Sequence, residues 1–138
     1  MSKDKFDELI KKYPKAFNTK YGDFYFECGD GWHDIIEPII VEMQKYNEKQ
    51  TDEFEMVYPM QVKEKFGTLR FYTNGGVDEI DTLINKAEKE SHTVCETCGK
   101  PGELISARWL YTACPEHMKK GDRTYAQFVE ERDNNLCV

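Results

Sequence analysis

Residues 95–117 read CETCGKPGELISARWLYTACPEH. Two donor pairs frame this stretch, Cys95 with Cys98 and Cys114 with His117, and fifteen residues separate them. Thiol and imidazole pairs at this spacing match the ligand count and arrangement of a tetrahedral zinc site. All four ligands come from the chain, so no coordination position is left for water, and the expected Zn2+ is structural rather than catalytic. A zinc deaminase would need a His-x-Glu element upstream of its cysteine pair. Two positions after His33 stands Ile35, and two after His92 stands Val94, which excludes that chemistry.

The residues around the ligands predict their local structure. Gly99 relieves a tight turn behind Cys98, and residues 103–112 suit a short hairpin. Pro115 favours the first position of a helix, which would carry Cys114 and His117 on its first turn and end at Gly121. Asp122 would cap a last short helix carrying Tyr125, Phe128 and Val129. Knuckle, hairpin and helix in that order predict a treble-clef-like zinc module over residues 93–121.

Upstream, Phe6, Leu9, Ile10 and Tyr13 predict a helix stopped by Pro14. Phe24 to Cys28 reads as a strand and Gly29-Asp30-Gly31 as a turn. Trp32, Ile35, Ile36, Ile39, Ile40, Met43 and Tyr46 form a helical stripe that Pro38 should disrupt, with a polar loop over 47–55. Met56 to Lys65 and Thr68 to Thr73 predict two strands turning at Phe66-Gly67. Val77, Ile80, Ile84, Ala87 and Ser91 predict a third helix. The fold class expected is α+β: a small antiparallel sheet flanked by helices and closed by the C-terminal zinc module, all in one domain over residues 1–138.

A net charge of −7 over 138 residues speaks against a general binder of phosphate backbones. Eight Tyr, eight Phe and two Trp supply ample apolar surface and argue against disorder. No apolar run approaches the ~20 residues of a membrane span, and the first residues lead into an amphipathic helix rather than a signal core. The chain therefore reads as cytoplasmic, with Cys28 and Cys137 as free thiols.

Catalytic motifs are missing. His33 and Asp34 stand at adjacent helix positions and point apart, and Ser106 lacks a nucleophile context. The Walker and dinucleotide glycine patterns do not occur. The turn at Gly29-Asp30-Gly31-Trp32 has two readings: a strand-to-helix corner with Asp30 as cap and Trp32 in the core, or a ligand loop with Trp32 as a stacking surface. Lys65, Arg70 and Tyr72, together with Phe66, could make a hairpin surface for an anionic ligand or for stacked bases. Trp32, Lys65, Arg70 and Tyr72 are thus the candidate ligand-binding residues, and no enzyme is expected.

Three stretches in order, CGDGW at 28–32, VKEKFGTLRFY at 62–72, and CETCGKPG with CPEH at 95–102 and 114–117, are fairly specific. On them the chain resembles a family of small proteins that recur in bacteriophages and prophages. The resemblance covers roughly residues 26–120 and implies a phage-type accessory protein acting inside a bacterium. The expected function is a non-catalytic binding protein, a host-interaction or anti-defence factor that sequesters a nucleotide signal or holds a host bacterial protein. A nucleic-acid-binding regulator using a basic face on 100–123 ranks second, and an enzyme of another class third.

Overall fold

Ile36, Ile39, Ile40 and Met43 recur at three- and four-residue intervals, and all four are fully buried on one face of helix α2, His33–Glu48. The structure, a computed structural model, describes residues 1–18 and 24–136; Cys137 lies outside them. Around α2 the order is α1 (Lys3–Lys12), β1 (Phe26–Glu27), α2, β2 (Pro59–Lys65), β3 (Thr68–Thr73) and α3 (Asp78–Glu90). The C-terminal module follows as β4 (Glu103–Ser106), β5 (Leu110–Ala113), β6 (Arg123–Thr124) and α4 (Tyr125–Leu136). Among the described residues no helix is long and apolar enough to cross a membrane.

The fold is α+β, but its sheet architecture differs from the expectation of one antiparallel sheet. The described residues form two three-stranded sheets, ordered β1-β2-β3 and β5-β4-β6. The first is mixed, because β1 pairs parallel to β2, with Phe26 opposite Val62. The chain leaves β1 through α2 before entering β2, and a helical crossover returns a strand in the same direction. The Phe24–Cys28 strand contracts to two residues, and β2 begins at Pro59 rather than Met56.

Helix α2 runs through Pro38 as one element and begins at His33. Pro38 removes one donor to the Asp34 carbonyl, and the buried stripe holds the helix together across that gap. Asn47, expected to open a loop, is fully buried within α2. Its Nδ2 donates to Lys15 O at 2.8 Å and Val57 O at 2.9 Å, and its Oδ1 accepts from Val57 N at 2.8 Å. The amide is thus satisfied inside the core, and it ties the turn after α1 and the approach to β2 onto α2.

The main core joins Phe6, Phe26, Trp32 and the α2 stripe to Val62, Leu69, Phe71, Ile80 and Ile84. A separate small cluster of Cys95, Ile105, Ala113 and Cys114 lies inside the C-terminal module. On the outer edge of β3, Leu69 N donates to Ser91 Oγ at 2.9 Å and Phe71 N to Glu88 Oε2 at 3.1 Å.

Two expectations at the C-terminus need correction. Cys114 to Gly121 does not form a helix: Met118 N donates to Cys114 O at 2.9 Å to close a single turn, and β6 follows. The last helix is capped by Thr124, not Asp122. Thr124 Oγ1 accepts from Gln127 N at 3.1 Å, while Gln127 Oε1 accepts from Thr124 N at 2.9 Å, a reciprocal capping box. Asp122 instead accepts from Tyr111 Oη at 2.5 Å.

The β2–β3 turn is strained. Lys65 pairs with Thr68, leaving Phe66 at φ 54° and Gly67 at φ 83°. Positive φ at both central residues defines the type I′ hairpin turn, which favours Asn-Gly. An aromatic residue carries a steric cost in the left-handed region, roughly 1–2 kcal/mol. Phe66→Asn should therefore raise the urea midpoint, with a gain of about 1 kcal/mol; a variant no more stable than the parent would show an unstrained turn.

Candidate metal centre

The four donors predicted from the sequence converge. Cys95, Cys98, Cys114 and His117 each present one ligand atom, all within 4.8 Å of one another. Cys98 Sγ lies 3.6 Å from Cys114 Sγ, and His117 Nδ1 lies 3.7 Å from Cys95 Sγ and 3.2 Å from Cys114 Sγ. Sulfurs about 2.3 Å from a shared tetrahedral centre stand roughly 3.8 Å apart, so the cluster needs only small adjustment to enclose a metal ion. The chain supplies its own supports. Cys95 N donates to Lys100 O at 2.8 Å and Gly99 N to Cys95 O at 2.9 Å, closing the first knuckle. His117 N donates to Cys114 O at 3.1 Å in the second.

Burial raises the Cys95 pKa, but the backbone N–H groups of Cys114, Cys98 and Thr97 outweigh it and hold the thiol at about 6. The Lys100 N–H lowers Cys98, yet burial and the Cys114 and Cys95 thiols leave it raised. Cys95 is thus the first of these two ligands to ionise, and the thiolate is the form a metal needs. Cys28 is different: burial pushes its thiol up to about 12, which makes it unreactive. Cys28, Cys95, Cys98 and Cys114 are all free of disulfides.

The module is gripped on two sides by backbone. On one side Gly31 N donates to Glu96 O at 2.7 Å, and Gly29 N donates to Glu96 Oε2 at 3.1 Å. A Cβ at Gly31 would collide with Cys95 O and would lie 2.6 Å from Glu96 C. Here the glycine allows the knuckle itself to approach, not a ligand. On the other side Thr112 Oγ1 donates to Gly67 O at 2.6 Å. A Cβ at Gly67 would meet Leu104 Cδ1 at 2.5 Å.

Trp32, proposed from sequence as a stacking surface, is 0% exposed, and its Nε1 donates to Val94 O at 2.9 Å. Its ring packs in the main core, so it cannot stack on a ligand. Asp30 accepts from Ser2 N at 2.5 Å rather than capping α2. Lys65, Arg70 and Tyr72 do share one face of the β2–β3 hairpin, by a register that sets Lys63 opposite Arg70 and Gln61 opposite Tyr72. Lys65 is exposed, Arg70 is half-buried, and Tyr72 is 48% exposed. The four candidates therefore line no common pocket. His33 and Asp34, expected to point apart, are in contact at the start of α2: His33 Nδ1 lies 3.0 Å from Asp34 Oδ1, and its Nε2 lies 3.6 Å from Glu37 Oε2.

The sequence reading overlooked Trp109, which is 57% exposed at the β4–β5 turn. Trp109 and Arg108 face Phe66 and Glu64 across one groove of about 470 Å3. The signal was present as Ala-Arg-Trp between two short strands, since a large apolar side chain at a turn has no core to enter. No family model, no curated protein and no solved structure matches the chain.

Two outcomes follow from this arrangement. Cys114→Ser should abolish stoichiometric metal binding by elemental analysis, and chelation should erase amide protection across residues 93–121; an unchanged exchange pattern would rule out a metal-dependent module. Gly31→Ala should destabilise the metal-loaded protein by about 1–3 kcal/mol in urea titration, and a neutral effect would mean that the knuckle and the turn can separate freely.

Proposed function

We propose that the protein is a zinc-stabilised, non-catalytic binding protein of bacteriophage type. On this reading it acts on a macromolecule of the bacterial host through the face built by its two hairpin tips. The carrying observation is the concentration of Phe66, Trp109, Arg108, Lys65 and Lys119 at those tips in an otherwise acidic chain. Phe66 is 64% exposed in spite of its strained backbone. Phe66 and Trp109 line one groove together, and a contiguous exposed apolar surface of this kind supports an interaction site.

Zinc is the ion that three thiolates and one imidazole favour, and four protein donors fill its tetrahedron. That supports a structural role and the interior of a bacterial cell, where thiols stay reduced. The module keeps the knuckle-then-hairpin order of a treble clef, with its second ligand pair on a single turn and the helix delayed to Tyr125. The three stretches at 28–32, 62–72 and 95–117 support the phage setting, and an anti-defence role is the use that setting suggests.

Burial of Trp32 removes the stacking surface that nucleotide sequestration required. The rival reading, one contiguous basic face over 100–123, is weakened because Lys100 pairs with Glu116 at 3.7 Å and Arg123 pairs with Glu131, pairs that do not include Arg108 and Lys119 at the tips. Native mass spectrometry of protein isolated from bacterial cells tests the proposal. One zinc per chain is expected, with a macromolecular partner that the double variant Phe66→Asn/Trp109→Ala loses. A nucleotide-sized mass retained by that variant would overturn it.

A further inference from the structure

We propose that the two-tip face binds single-stranded nucleic acid, with Phe66 and Trp109 as base-stacking platforms and Lys65, Arg108 and Lys119 meeting the phosphates. This inference rests on the binding role assigned above to the same face, and adds its occupant. Both rings are more exposed than buried, at 64% and 57%, and they line one open groove. Each ring already has a cation on it. Lys65 Nζ stands 5.4 Å from the Phe66 centroid, and Lys119 Nζ stands 4.6 Å from the Trp109 centroid. A base laid on the free side of either ring brings its phosphate within reach of an ammonium group, the pairing on which sequence-tolerant single-strand binding rests.

Arg108 and Glu64 are the charged side chains that line the groove, and Lys65 and Lys119 stand over its two rings. Glu64 is the carboxylate that lines it, and Glu64 Oε1 accepts from Gly67 N at 3.0 Å, so it is turned back into the turn. Lys65 shares its hairpin face with Lys63, Arg70 and Tyr72, the face opposite Glu64. Arg70 Nε is buried with no hydrogen-bond partner in the protein. Lysine is depleted at the centres of protein–protein interfaces, so lysines set directly on the aromatic rings favour a phosphate-bearing strand over a protein surface.

The strain at Phe66 points the same way. Asn would hold the turn without steric cost, whereas Phe places a ring in solvent at a backbone angle that disfavours it. A strained, exposed aromatic residue is a marker of function rather than of folding.

The net charge of −7 sets the scale of binding. Beyond a Debye length of about 8–10 Å, the acidic remainder of the chain is screened from a ligand on the tips. A short strand touching a few cations is accommodated, whereas a duplex, with its bases already stacked and two backbones to neutralise, gains nothing from the rings.

The test uses the full-length, metal-loaded protein and fluorescein-labelled single-stranded DNA and RNA of about eight nucleotides. The matching duplexes and a poly-glutamate peptide serve as comparison probes. Anisotropy reports binding, and tryptophan quenching reports Trp109, since Trp32 is buried. Single strands should bind in the micromolar range at about 50 mM salt, with duplexes at least about tenfold weaker. Phe66→Asn and Trp109→Ala should each cost about tenfold, with Phe66→Asn as stable as the parent or more so. No single-strand binding up to about 0.1 mM, or binding indifferent to both substitutions, would overturn the inference. If poly-glutamate binds with the Phe66 and Trp109 dependence and the oligonucleotides do not, the occupant is an acidic protein segment. The inference then fails, and the two-tip binding face stands. If the probes do not bind and the double variant also keeps its cellular partner, both fail.

Discussion

The structure depends on two close backbone approaches, one on each side of the Cys/His module. Gly31 meets the first ligand knuckle at Cys95 and Glu96, and Gly67 meets β5 at Tyr111. The first contact has no room for a side chain, and at the second a Cβ on Gly67 would press on Leu104 and the Tyr111 backbone. The module has only a small buried cluster of its own, too little to stand alone without the metal and these contacts. Binding energy from a metal held by these donors would therefore reach the main body through the Gly31–Glu96 peptide contact and the Thr112 hydroxyl on Gly67 O. Metal affinity of about 10–16 kcal/mol in isolated motifs exceeds ordinary domain stability. The knuckle is as much a part of the whole fold as the α2 stripe.

This arrangement also explains the two stretches outside the metal motif that stood out in the sequence. CGDGW and the Phe66-Gly67 turn look like separate features along the chain, but both face the same module. Trp32 anchors the first contact with its indole N–H on Val94 O, and Thr112 anchors the second on Gly67 O. The glycines of the first stretch permit contact within the protein, and its tryptophan belongs to the core.

What was legible in the sequence followed physical rules that act over short range. Donor spacing located the Cys/His cluster because a tetrahedral metal site constrains both the type and the number of its donors. Apolar periodicity located α1, α2 and α3 because each buries one stripe. The parallel pairing of β1 was hidden because it depends on where α2 returns the chain, and two residues of strand leave almost no pattern. The single turn after Cys114 was misjudged because Pro115 favours a helix start without guaranteeing its continuation. The Thr124/Gln127 capping box was visible and was passed over in favour of Asp122. Trp32 was the harder case, since a tryptophan beside two glycines suits a packed corner, the favoured reading, yet also admits a ligand loop until its neighbours in space are known.

The side chains that line the outer edge of β3 have a further consequence. Ser91 and Glu88 take the amides of Leu69 and Phe71 that an adjoining strand would otherwise use. That side of the sheet therefore cannot grow by strand addition, whether from a second copy or from an extended peptide. A hydrophobic, β-rich hairpin left open there would invite edge-to-edge assembly. A carboxylate and a hydroxyl group from one neighbouring segment close that edge with side chains in place of a strand.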